Sequence, residues 1–85
     1  LAYNTTYKKS VEKDLSRLGK PEARRILDKI EKELSARAAK YPLLKGAFAG
    51  LRKLRVGDYR VIFAVLEQEV LILRIGHRRD IYKNS

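Results

Sequence analysis

Residues 51–82 read LRKLRVGDYRVIFAVLEQEVLILRIGHRRDIY, and the reading of this stretch decides the fold. Leu51 to Val56 and Tyr59 to Leu66 are strand-like runs joined by Gly57-Asp58. Glycine at the first central position of a two-residue connection suits a type II′ hairpin turn. Val70 to Ile75 makes a third strand after the connection Glu67 to Glu69. Val61 to Leu66 is apolar at every position, the pattern of a central strand with helices packed on one side.

Working back from the hairpin, Tyr41 to Gly50 contains Pro42, Gly46 and Gly50 and reads as a connecting loop. Before it, Ala23, Ile26, Leu27, Ile30, Leu34 and Ala38 form the apolar stripe of a helix. Pro21 belongs in its first turn, where a fixed φ and a missing N–H are tolerated, and Glu22 faces the positive end of the helix dipole. Asp28 with Lys32 and Glu33 with Arg37 are spaced i, i+4 for ion pairs on the solvated side. Val11, Leu15 and Leu18 mark a shorter amphipathic helix from Lys8, which Gly19 can end. Leu1 to Tyr7 alternates weakly, with Tyr3, Thr5 and Tyr7 on one face of a short strand. The order β-α-α-β-β-β predicts a two-layer α+β domain, an antiparallel sheet packed against a helix pair.

A chain of 85 residues, 45% hydrophobic and 35% charged, has enough apolar material for one core and too little for two, so residues 1–85 are read as a single domain. The net charge of +10 is spread along the chain: eleven basic minus six acidic residues in 1–40, and nine minus four in 41–85, give +5 in each half. A field of this sign attracts polyanions without dictating a fold. A basic surface kept only for solubility is the alternative reading. With no cysteine there is neither a disulfide framework nor a thiolate metal site, and a single histidine excludes multi-histidine zinc sites. No metal or cofactor is expected. There is no membrane-spanning run and no secretory pattern, so a cytoplasmic protein is expected.

The strands carry the cations. Lys53 and Arg55 share a face with Leu51, whereas Arg52 shares the parity of Leu54 and is read as lying at the strand edge. Hairpin pairing brings Arg55 and Arg60 onto one face, where like charges opposite each other destabilise unless an anion lies between them. Each arginine could instead cap a carbonyl or pair with Asp58, Glu67 or Asp80. Arg74, His77, Arg78, Arg79 and Tyr82 follow along the third strand and its end. Guanidinium groups fixed on a sheet suit phosphate oxygens, and the expected ligand is a nucleic acid.

LRKLRVGDYRVIF, RIGHRRDIY and the helix pair before them resemble the RelE-type toxins of bacterial and archaeal toxin–antitoxin systems, within the RelE/ParE superfamily. The resemblance implies a RelE-like fold and a ribosome-associated endoribonuclease that cuts mRNA in the decoding site, inhibits translation and is restrained by an acidic, RelB-like antitoxin. It matches Lys53 to a basic strand residue of the active face, Arg60 to the arginine of the YR pair, Arg78 to the arginine after the glycine turn, and Tyr82 to the terminal tyrosine. Arg52, Arg55, Arg74 and Arg79 are assigned to RNA binding. Leu51 departs from the pattern, standing where some members have a second lysine with a proton-transfer role. Arginine does not deprotonate in proteins, so the base is His77, a lysine of lowered pKa, or water. His77 has a second reading, a strand-end histidine bonded to the backbone. Two other functions stay open: a ParE-like inhibitor of gyrase, and a non-catalytic RNA- or DNA-binding module.

Overall fold

In the computed structural model, which describes residues 2–81, the chain forms one four-stranded sheet in the order β1-β4-β3-β2. The strands are β1, Asn4–Tyr7; β2, Arg52–Val56; β3, Tyr59–Leu66; and β4, Glu69–His77. The helices are α1, Ser10–Ser16, and α2, Lys20–Lys29. Strands β2, β3 and β4 are antiparallel as the hairpin spacing requires, but β1 joins β4 in parallel, so the sheet is mixed. Hydrophobic alternation specifies which face of β1 is buried and leaves its direction open, and so the sequence did not show this. Gly57 has φ +59° and Asp58 does not have a positive φ, the combination of the expected II′ turn.

The second helix does not stay α-helical. After Lys29 it widens into a π turn over Ile30–Leu34, resumes over Ser35–Arg37, and closes in a 3-10 turn over Ala38–Lys40. The cause is legible in the stripe. Ile26, Ile30, Leu34 and Ala38 recur every four residues, and at 3.6 residues per turn such a row drifts by about 40° per step. Under-winding through the π turn holds the row against the sheet, and all four side chains are fully buried. The same widening breaks the i, i+4 geometry at its start. Glu33–Arg37 forms at 3.6 Å, whereas Asp28 and Lys32 make no salt bridge among the described residues.

The core lies between the helices and one sheet face, with Val61, Phe63, Val70 and Ile72 on the sheet side and Val11, Ile26, Ile30 and Leu34 on the helix side. Each such buried side chain stabilises the fold by about 1.5–3 kcal/mol. A bulge shifts the β3–β4 register between Ile62 and Phe63, leaving Leu73 as the extra residue of β4. Without it, Arg74 would share the parity of Val70 and Ile72 and enter the core. With it, Ile75 pairs with Val61 on the core side and Arg74 pairs with Ile62 on the other.

Beyond Tyr7 strand β1 has ended, and α1 closes the exposed edge of β4. Asp14 Oδ2 accepts the Ile75 N–H at 3.0 Å. The segment 41–50 is tied down as well: Leu43 makes a bridge to Arg52, and Gly46–Phe48 is a 3-10 turn. The Tyr41 hydroxyl donates to Glu33 at 2.9 Å, which holds the Glu33 carboxyl below the usual range. Among the described residues no helix is long and apolar enough to cross a membrane.

Candidate nucleic-acid interface

The sheet face turned away from the helices carries two cationic rows. In the first, Lys53, Ile62 and Arg74 lie side by side across β2, β3 and β4; in the second, Arg55, Arg60 and Gly76 do the same. Strand spacing puts Lys53 about 10 Å from Arg74 at the backbone, with the rows about 7 Å apart. Ile62, fully buried, sits between the cations of the first row. Ile81 returns over Gly76, lying 3.6 Å from where a β-carbon would stand, so the chain after β4 folds back onto this face. Among the described residues, Lys53, Arg55 and Arg74 have no ion-pair partner.

The hairpin tip organises the other two arginines. Arg60 donates from one guanidinium nitrogen to the carbonyls of Gly57 and Tyr59, both at 3.0 Å. Arg78 donates its backbone N–H to the Asp58 carbonyl at 2.7 Å, and its Nε lies 3.6 Å from Asp58 Oδ1. Arg60 thus caps carbonyls, one of the alternatives open at the sequence level. Neither Arg55 nor Arg60 pairs with Asp58, Glu67 or Asp80 among the described residues, and the Asp58 carboxylate meets Arg78 instead. These contacts of the hairpin tip fix where Arg60 and Arg78 stand without neutralising the row, because two of the partners are carbonyls and the carboxylate pair is exposed.

Arg52, His77 and Arg79 do not join the rows. Arg52 pairs with Phe63 on the helix side and donates to the Tyr41 carbonyl at the sheet edge, the edge position its parity indicated. His77 pairs with Tyr59, also on the helix side, with the rings edge to face at 5.5 Å. Its Nδ1 accepts the Arg79 N–H at 3.1 Å, so the strand-end backbone contact exists, with a backbone N–H rather than a carbonyl as partner. Arg79 itself is exposed in the turn after β4. Tyr82 lies outside the described residues. Sequence reasoning passed over Asp14. Its signal was present: Val11, Asp14, Leu15 and Leu18 follow i, i+3, i+4, i+7, which places a carboxylate on the apolar side of α1.

A sequence model of the family described as the ParE toxin of type II toxin–antitoxin system, parDE, matches residues 6–82. The chain belongs to this family, and with it to the RelE/ParE superfamily of type II toxins. Comparison with curated proteins finds no match. Solved structures agree on the fold. The toxin is 32% identical to a chain of the archaeal RelE–RelB complex from Pyrococcus horikoshii, covering 94% of this chain and 99% of that one, with a TM-score of 0.65. It also superimposes on a chain of the RelBE2 toxin–antitoxin complex from Mycobacterium tuberculosis at TM-score 0.84 and 23% identity, covering 92% and 100%. The chromosomal ParDE system from P. aeruginosa gives TM-score 0.71 at 20% identity, covering 89% and 96%. RelE and ParE toxins thus share this toxin's fold.

Proposed function

We propose that this toxin is a ribosome-dependent, metal-independent endoribonuclease that cuts mRNA in the decoding site. The observation that carries the reading is the pair of rows holding Lys53, Arg55, Arg60 and Arg74 on one open sheet face, with Arg78 beside them at the hairpin tip. In metal-free cleavage the 2′-oxygen attacks the adjacent phosphorus in line while the bond to the 5′-oxygen breaks, giving a cyclic phosphate and a 5′-hydroxyl. Charge builds on the phosphoryl oxygens and on the leaving oxygen, and fixed cations stabilise both. Lys53 and Arg60 take the phosphoryl oxygens, and Arg78 takes the leaving-group side. Arg55, Arg74 and Arg79 contribute to RNA binding around that centre, with Arg52 held apart at the sheet edge. Tyr82 stacks on a base. Water receives the 2′-hydroxyl proton and another water protonates the leaving oxygen, since His77 is turned to the helix side of β4. A site without its own acid/base pair depends on a scaffold to impose in-line geometry, and the ribosome supplies one. The RelE-type relatives above were solved with RelB antitoxins, and an acidic antitoxin of that type is the proposed partner of this +10 chain.

A second reading, inhibition of DNA gyrase, is favoured by the match to the ParE family. One experiment separates the two. The toxin is incubated with translating ribosomes and, separately, with gyrase and plasmid DNA. Cut message on ribosomes is the expected result, with Arg60→Ala and Arg78→Ala slowed by about 10²-fold in single turnover. Trapped gyrase cleavage complexes with intact message would overturn the nuclease.

A further inference from the structure

A cavity of about 320 Å³ opens at the margin of β4 where β1 has ended, and none of the roles above uses it. Its size is at the small end of ligand sites, enough for one planar heterocycle and too little for an oligonucleotide. Leu18, Ile75 and Ile81 give it apolar walls, and the Tyr59 and His77 rings close one side. Two carboxylates, Asp14 and Asp80, also line it, together with Arg17 just past the end of α1 and Arg74 from the first cationic row. Arg74 and Gly76 belong both to this cavity and to the open face, so the two are continuous.

Resting on the nuclease reading, we propose that this cavity is a nucleobase subsite, taking one base of the RNA strand whose phosphates lie on the cationic rows. The chemistry is that of a flat apolar ring with polar edges: apolar walls take its faces, and Arg74 and Arg17 stay close to its phosphate. The carboxylates set the selectivity. A carboxylate only accepts hydrogen bonds, and Asp14 gives one oxygen to the Ile75 N–H, leaving its second oxygen and Asp80 for the base. Guanine, adenine and cytosine present an exocyclic amino group to such acceptors. Uracil presents a single N–H between two carbonyls, which face the carboxylates unfavourably. The subsite therefore discriminates against uridine.

The test uses the full chain, free of ribosomes, titrated with each of the four nucleoside 5′-monophosphates and, in parallel, with inorganic phosphate, followed by NMR. The expected result is that the methyl signals of Leu18, Ile75 and Ile81 move with GMP, AMP and CMP. UMP should bind about fivefold more weakly, the scale of one hydrogen bond. Phosphate alone should leave those methyls in place. Asp80→Asn, on an exposed turn, keeps the fold and adds an amide donor for a uracil carbonyl, so the bias against UMP should shrink in it. Equal binding of all four nucleotides, or shifts confined to Lys53, Arg55 and Arg60, would overturn the subsite. These outcomes are read on the free protein, so they stand apart from the ribosome assay: absence of cleavage there overturns the nuclease, and unmoved cavity methyls here overturn the subsite alone.

Discussion

Two turn residues show how backbone geometry decides the outcome of a substitution. Glu67 has φ +57°, the one positive value at a non-glycine among the described residues, and opens the β3–β4 connection. An L-residue held there is destabilised by about 1–2 kcal/mol relative to right-handed backbone. Glycine removes that strain while losing about 0.5–1 kcal/mol in chain entropy. Glu67→Gly should therefore raise stability by about 0.5–1 kcal/mol in denaturant unfolding, with toxin activity unchanged because the turn lies at the opposite end of the strands from Arg60. Gly57, at φ +59°, behaves in the opposite sense. A methyl there would come 2.7 Å from an Arg25 nitrogen, which can swing aside, but the positive φ would remain. Gly57→Ala should lower stability by about 1 kcal/mol and, on the proposed nuclease reading, slow cleavage, since the turn carbonyls anchor Arg60 and Arg78. Equal stability of wild type and both variants would show that neither turn is strained. The glycine requirement at 57 was legible from Gly57-Asp58 between two apolar runs. Nothing in EQE announced a positive φ at Glu67, because the tight pairing of Leu66 with Glu69 imposes it.

The second helix shows what periodicity reveals and what it hides. The apolar stripe identified the buried face correctly, but a stripe spaced by four fits either an α-helix along which it drifts or an α-helix in which a π turn offsets the drift, and only packing against the sheet selects. A π turn behaves as one extra residue absorbed within an α-helix. Deleting Lys32, which is exposed, should convert it to regular helix and leave Ile26 and Ile30 on one side and Leu34 and Ala38 on the other still facing the core. The deletion variant should fold, with amide shifts altered only around residues 29–40 and a stability change no greater than about 1 kcal/mol, the size of an ordinary substitution. An unfolded variant would show that the extra residue is needed for the fold. The bulge in β4 follows the same logic. Alternation alone puts Arg74 with Val70 and Ile72, and the cost of burying an unpaired guanidinium is what favours the bulge that turns it outward. The cationic residues were thus legible as a set, while the faces of Arg74 and His77 depended on a register that alternation does not encode.

At the scale of the whole molecule, charge separates the demands of folding from those of binding. A chain at +10 with only three salt bridges among its described residues, each with an exposed partner, has more repulsion to screen than attraction to lose. Arg55 directly opposite Arg60 concentrates that repulsion on the open face. Raising sodium chloride from 20 mM to 300 mM, roughly the range over which the Debye length falls from about 20 Å to below 8 Å, should raise the Tm. On the proposed nuclease reading, binding to ribosomes or RNA should move the other way over the same range. Each phosphate neutralised on a single strand contributes about 0.7 to the negative slope of log affinity against log salt, so contacts by Lys53, Arg55, Arg60 and Arg74 together predict a slope near −3. Arg55→Gln should flatten both trends: its Tm should start higher at low salt, and its binding slope should be shallower by about 0.7. If the Tm of the wild-type chain fell with salt, favourable ion pairs would outweigh the net repulsion, and the open face would not be the strained cationic surface that an anionic partner relieves.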